Sequence, residues 1–153
     1  MRSMVSAVGI PRLQAGEDVN AVNPLEQDIQ GQIIDYLRIE QARGRVVWFE
    51  RSNGGGMKDK TGRVLRFYLL YLRGKIPRSK GKADLSGMLM GGQFFALEVK
   101  RGNEKPTKDQ IEYLAAVREG GGIAAVVRSF SDAKNVLFGD GIKSILAEEE
   151  INQ

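Results

Sequence analysis

Two runs of alternating character, Ala83 to Leu89 and Phe94 to Arg101, face each other across Met90-Gly91-Gly92-Gln93. A glycine pair between two β-forming segments predicts an antiparallel hairpin. A three-residue loop, Met90-Gly91-Gly92, pairs Leu89 with Gln93 and Asp84 with Glu98. One face then carries Leu85, Leu89, Phe95, Leu97 and Val99. The other carries Asp84, Ser86, Met88, Phe94, Ala96, Glu98 and Lys100, because directly opposed residues share a face. A two-residue turn would set Asp84 opposite Val99 and mix the faces, and a slip of one residue moves the carboxylate to the other side. The longer loop also leaves a glycine for its left-handed position.

That register has a chemical consequence. It gathers two carboxylates and one ammonium on one patch. Paired carboxylates repel unless a cation neutralises them, and a divalent metal does so. Lys100 can stabilise a developing negative charge beside them. The same triple also suits a solvated hairpin laced by Asp–Lys and Glu–Lys pairs, and spacing alone does not separate the two.

The flanking segments imply an α/β chain. Asn23-Pro24-Leu25-Glu26 reads as a helix start, with Asn23 as cap and Glu26 at the third position. Leu25, Ile29, Ile33, Tyr36 and Leu37 then form an apolar stripe to about Ile39. Glu26 lies seven residues before Ile33, close to that stripe around the helix. Arg45 to Ser52 reads as a strand, broken by Asn53-Gly54-Gly55-Gly56. Lys58 to Lys82 is basic, and its centre, VLRFYLLYL, is open between strand and extended insertion. Pro106-Thr107 opens a helix to about Glu119, with Thr107 and Gln110 spaced as a capping box, and Gly120-Gly121-Gly122 ends it. Ile123 to Arg128 is nearly continuously apolar, as in a buried strand. Ser131 is placed to cap a short helix through Phe138. Residues 1–22 read as an arm, 23–139 as the folded domain with a basic insertion at 54–82, and 140–153 as an acidic C-terminal helix. The order predicts a central mixed β-sheet flanked by helices.

Composition removes several chemistries. Among the 153 residues there is no cysteine and no histidine. Disulfide scaffolds, thiol nucleophiles, zinc fingers and imidazole bases are therefore excluded. Oxygen donors remain, and these favour hard cations such as Mg²⁺ or Mn²⁺. A near P-loop at Gly54–Thr61 fails because Asp59 stands where a phosphate-approaching glycine is needed. No apolar run approaches the ~18–20 residues of a membrane span, so no membrane association and a cytoplasmic location are expected.

Charge is unevenly placed. Net charge is +4, but Arg38 to Lys82 holds 13 basic and 3 acidic residues. Such a stretch suits contact with a polyanion, and suits a solvated basic loop equally well.

Four segments together resemble the VRR-NUC nucleases, a branch of the PD-(D/E)XK phosphodiesterases. They are Gly81-Lys82-Ala83-Asp84-Leu85, Phe95-Ala96-Leu97-Glu98-Val99-Lys100-Arg101, Lys105-Pro106-Thr107-Lys108-Asp109-Gln110, and Gly121 to Ser129. With Glu26, the likeness spans roughly residues 24–130. One departure is Ala83, where the family usually has proline. The resemblance implies a restriction-endonuclease-like core and a metal-dependent, structure-selective DNA endonuclease. It implies Asp84, Glu98 and the Val99 carbonyl as ligands of Mg²⁺ or Mn²⁺, with Glu26 completing the site or holding a second ion. Lys100 would orient or activate water, and Gln110 would face the metal. Arg51, Lys82, Arg101, Lys105 and Lys108 would contact DNA. Short members of this type resemble phage and bacterial enzymes that cut branched DNA such as Holliday junctions as homodimers, which would place a phage-encoded chain in a bacterial host cell. A catalytically inactive DNA-binding or accessory module of a replication or repair complex is the alternative.

Overall fold

The computed structural model describes residues 24–52, 57–65 and 68–139. The expected arm, Asn23, the Gly54–Gly56 break and the acidic C-terminal helix lie outside them. The described elements are α1 (Glu26–Ala42), β1 (Val46–Arg51), β2 (Met57–Lys58), β3 (Val64–Leu65), β4 (Leu85–Leu89), β5 (Phe94–Val99), α2 (Lys108–Glu119), β6 (Ile123–Val127) and α3 (Phe130–Phe138). Four strands form a mixed sheet in the order β1-β4-β5-β6. The first three are antiparallel, and β6 runs parallel to β5. The connection through α2 supplies the crossover a parallel pair requires.

The hairpin register is the expected one. Leu85 pairs with Leu97, Ser86 with Ala96 and Met88 with Phe94, and the Leu89 amide donates to the Gln93 carbonyl at 2.9 Å. Its apolar face meets α1 and α3: Leu85, Leu89, Phe95, Leu97 and Val99 pack with Ile29, Ile33, Leu37, Ala133 and Leu137. The opposite face is covered as well. Ala96 and Ala124 lie beneath Tyr113 and Leu114 of α2. Helices on both sides make this an α/β sandwich of three layers, and β4 and β5 are its central strands. The alternative of a solvated surface hairpin is thereby excluded.

Several local expectations are corrected. Helix α1 begins at Glu26, with Leu25 as its N-cap and no side-chain cap. Glu26 is therefore the first helical residue and not the third position of a capping box. Its charge instead meets the helix dipole together with Asp28. The helix also runs a turn past Ile39. Glu40 is fully buried there, yet ion-paired to Arg43 at 3.2 Å and to Arg45, so a charged residue continues the core face. Gly44, at φ +77°, then reverses the chain. Ser129, not Ser131, caps α3: its Oγ accepts from the Asp132 amide at 3.1 Å, while the Asp132 carboxylate accepts from the Arg128 amide at 2.8 Å. Strand β6 is an edge strand, only partly buried, and not an interior one.

Among its described residues, the stretch from Lys58 to Lys82 adds no strand to the main sheet. They hold most of the small β2–β3 hairpin and a bridge between Leu70 and Arg78. Asp59 turns that hairpin by accepting from the amides of Thr61 (2.8 Å) and Arg63 (3.0 Å), a role incompatible with a phosphate loop. No helix among the described residues is long and apolar enough to cross a membrane.

Strand β1 carries a bulge between Val46 and Trp48 opposite β4. There β4 has Gly87, and a Cβ at that position would strike the Trp48 carbonyl and stand 2.8 Å from the Phe49 Cα. Backbone cannot yield as a flexible side chain can. Gly87→Ala should therefore cost about 1–3 kcal/mol and lower the thermal midpoint by roughly 3–10 °C, read by calorimetry. An unchanged midpoint would refute this close approach.

Candidate active site

The site is assembled at the end of β4–β5 that lies away from the Met90 loop. Asp84 immediately precedes β4, and its Oδ2 accepts from the Val99 amide at 2.8 Å. Glu98 follows on β5 with no exposure at all. Its Oε1 accepts from Lys100 Nζ at 2.8 Å and from Gln110 Nε2 at 2.5 Å. Its Oε2 is buried and has no hydrogen-bond partner among the described residues. Buried acceptors are normally satisfied, so this atom marks a place where a proton or cation belongs.

Gln110 does two jobs. Its backbone amide donates to Thr107 Oγ1 at 3.3 Å, and its Oε1 accepts from the Thr107 amide at 2.8 Å. That is the full capping box. With its oxygen so engaged, Nε2 is left to reach Glu98. The capping role and the site role coexist in one side chain.

Burial governs the electrostatics. It pushes the Glu98 carboxyl up to about 7, with the Lys100 hydrogen bond opposing and the Asp84 charge adding to the rise. Burial also raises Asp84, against the Val99 amide and the charges of Lys100 and Arg51. For Lys100, burial pulls the ammonium down. The hydrogen bond to Glu98 and the charges of Glu98, Glu26 and Asp84 outweigh it, and the pKa stands above the ordinary value. Lys100 is accordingly a permanent cation near neutral pH.

The remaining expected residues are dispersed around this centre. Glu26 lies within electrostatic reach of Lys100 and accepts from Gln30 Nε2 at 3.4 Å. Among the described residues, no group of three or more acidic side chains gathers as a metal cage, so Asp84 and Glu98 stand as a pair. The Val99 side chain is buried in the opposite core, with its amide on Asp84. Arg51, exposed at the end of β1, is close enough to Asp84 to act on it. Lys82 is ion-paired with Glu50. Arg101 pairs with Glu104 at 3.5 Å. Lys105 and Lys108 are exposed before and at the start of α2.

Much of the basic stretch is neutralised within the molecule. Arg78 bonds Asp109 (3.2 Å) and Glu112 (2.6 Å), Lys80 bonds Asp109 (3.0 Å), Lys75 reaches Glu112 (3.4 Å) and Arg73 pairs with Glu119. These acids all lie on α2. The insertion is thus strapped to the helix that carries Gln110, which no reading of the linear charge pattern reveals. Beside Asp84 opens a cleft of about 520 Å³, lined by residues that include Ser52, Tyr68, Lys108 and Gln110.

No protein-family model matches the sequence, and no curated protein matches it.

The raised Glu98 carboxyl has a thermodynamic consequence. The folded state holds its proton more tightly than an ordinary glutamate, which titrates near 4.5. Its support of the fold is complete below about pH 4.5 and is lost as pH rises through about 7. The shift corresponds to about 3 kcal/mol. Lys100 loses its support only in alkali, and the chain has no histidine to titrate in this window. In EDTA, the thermal midpoint should fall between pH 5 and 8 more steeply for the wild type than for Glu98→Gln. Parallel profiles for the two proteins would contradict a burial-raised Glu98.

Proposed function

We propose that the chain is a metal-dependent nuclease of the PD-(D/E)XK type that hydrolyses phosphodiester bonds in DNA. One observation carries the reading: Asp84, Glu98, Lys100 and Gln110 converge on one sheet end, and a buried Glu98 oxygen there lacks a partner. A hard divalent cation suits this donor set, because burial raises both carboxyls and the Asp84 charge raises Glu98 further, a cost that a cation offsets.

Asp84 and Glu98 would hold Mg²⁺ or Mn²⁺, with the Val99 carbonyl as a further donor, while Glu26 stands outside this pair and acts on Lys100 through its charge. When bound, such an ion polarises the scissile phosphate and lowers the pKa of a water. Lys100 is held by Glu98 and stays protonated. It therefore serves as a fixed positive charge toward the phosphoryl oxygens or the attacking water, and not as a proton acceptor. Gln110 positions Glu98, since both ends of its amide are engaged. Arg51, Arg101, Lys105 and Lys108 ring this end and would track the phosphate backbone. Paired cuts on a four-way junction need two sites at fixed separation, so the proposal includes a homodimer in the cytoplasm of a host cell.

The test is cleavage of end-labelled four-way junction, flap, duplex and single-stranded DNA in Mg²⁺, Mn²⁺ or EDTA. Asp84→Ala, Glu98→Ala and Lys100→Ala should each reduce cutting by at least ~100-fold while DNA binding persists. Gln110→Ala should reduce it by roughly 10–100-fold, the usual effect of removing a positioning partner. Full activity in Glu98→Ala would overturn the assignment. Tight junction binding without cleavage of any substrate would favour the inactive binding module.

A further inference from the structure

The cleft beside Asp84 is a built feature whose walls come from three parts of the chain. Ser52 follows β1, Tyr68 to Lys82 belong to the insertion, and Thr107 to Gln110 open α2. Its rear wall is tightly fixed. Gly81, at φ +90°, lies so close to α2 that a Cβ there would stand 2.8 Å from the Asp109 Cβ and carbonyl oxygen. Arg78 is largely buried beneath this loop, bound to the Asp109 carbonyl (2.8 Å) and to Glu112. The lining is mixed in character. Tyr68 offers a half-buried aromatic ring. The Ser52 hydroxyl is buried at the wall without a hydrogen-bond partner among the described residues. Lys80, Lys82 and Lys108 line it as well; Lys80 is ion-paired with Asp109 and Lys82 with Glu50, whereas Lys108 makes no ion pair with a described residue. Asp84 and Asp109 are acidic neighbours in the same lining.

The volume, about 520 Å³, matches a small-ligand site. A base stacked and paired within a duplex cannot enter such a space, whereas a single unpaired nucleotide can. Cations line it for a phosphate, an aromatic ring offers a stacking surface, and a hydroxyl remains free for a base edge. Asp84 in the lining repels an anion, which leaves Lys108, free of an ion pair with any described residue, as the anchor for the phosphate and the Tyr68–Ser52 side for the base.

We propose that this cleft binds one unpaired nucleotide of the substrate strand next to the cut, with the base against Tyr68 and Ser52 and its phosphate on Lys108. This rests on the nuclease reading and sharpens it: substrates with an unpaired nucleotide beside the scissile bond are preferred over continuous duplex.

The probe is 5′-phosphorylated thymidine trinucleotide, titrated in EDTA into the whole ¹⁵N-labelled protein, with an abasic trinucleotide in parallel. Amide shifts should centre on Ser52, Tyr68, Lys108 and Gln110. Tyr68→Ala should weaken binding roughly five- to a hundredfold and Tyr68→Phe should restore it, because stacking needs the ring and not the hydroxyl. Lys108→Ala, an exposed change that leaves the fold intact, should weaken it severalfold. Shifts located elsewhere, equal binding of the abasic probe, or wild-type affinity in Tyr68→Ala would each overturn the inference. If Tyr68→Ala unfolds, Tyr68→Phe and Lys108→Ala still decide it: the first must bind as wild type and the second must not. Metal-dependent cutting with no trinucleotide binding would remove the cleft's role and keep the nuclease. Trinucleotide binding on these residues with no cutting of any DNA would keep the cleft and remove the nuclease.

Discussion

The pairing of β4 with β5 is the constraint on which the site depends. Leu85 opposite Leu97 sorts every side chain of the hairpin between two cores. The same pairing carries Asp84 to the Val99 amide and keeps Glu98 beneath α2. A slip of one residue would turn Leu97 and Phe95 to the wrong side and would bury a carboxylate among leucines. The energetic preference is set by the apolar face, while the carboxylates and Lys100 sit on the other. The core and the candidate site are thus coupled through one strand alignment.

A charged group inside that sheet is expensive, and the structure limits the cost in stages. Lys100 and Gln110 satisfy one oxygen of Glu98, and the other has no partner. Gln110 can do this only because Thr107 fixes the start of α2. Arg78, Lys80 and Lys75 in turn hold the insertion against the acids of that helix. A local net of basic residues in the sequence is therefore not a free positive surface. Part of it forms internal attachments, while Arg51, Lys105 and Lys108 are exposed.

Local rules carried the reading where neighbours in sequence are neighbours in space. The hairpin, its two faces and the Thr107–Gln110 box all depend on separations of a few residues, and each stands as read. Errors arose where a distant partner decides. Glu40 looks like the end of an apolar stripe until Arg45, beyond the turn, neutralises it. Asn23-x-x-Glu26 has capping spacing, yet the helix starts later and Glu26 faces Lys100. The walls of the cleft were invisible for the same reason: Ser52, Tyr68 and Lys108 lie tens of residues apart and share no pattern. The link from Arg78 to Asp109 and Glu112 spans a whole hairpin that no periodicity predicts.

The bulged β1–β4 pairing closes on Arg51 and Leu85, so the whole insertion is a loop whose two ends are already held together. The entropy of closing such a loop grows only with the logarithm of its length, about 0.6 kcal/mol for each doubling. Residues could be added to or removed from its outer part, around the β2–β3 turn, at small thermodynamic cost. The carboxylate pair would not be disturbed, because Asp84 is anchored by the amide of Ser52 donating to its carbonyl at 2.7 Å. Such an arrangement lets one segment diverge in length and composition while the geometry of the Asp84–Glu98 pair stays constant.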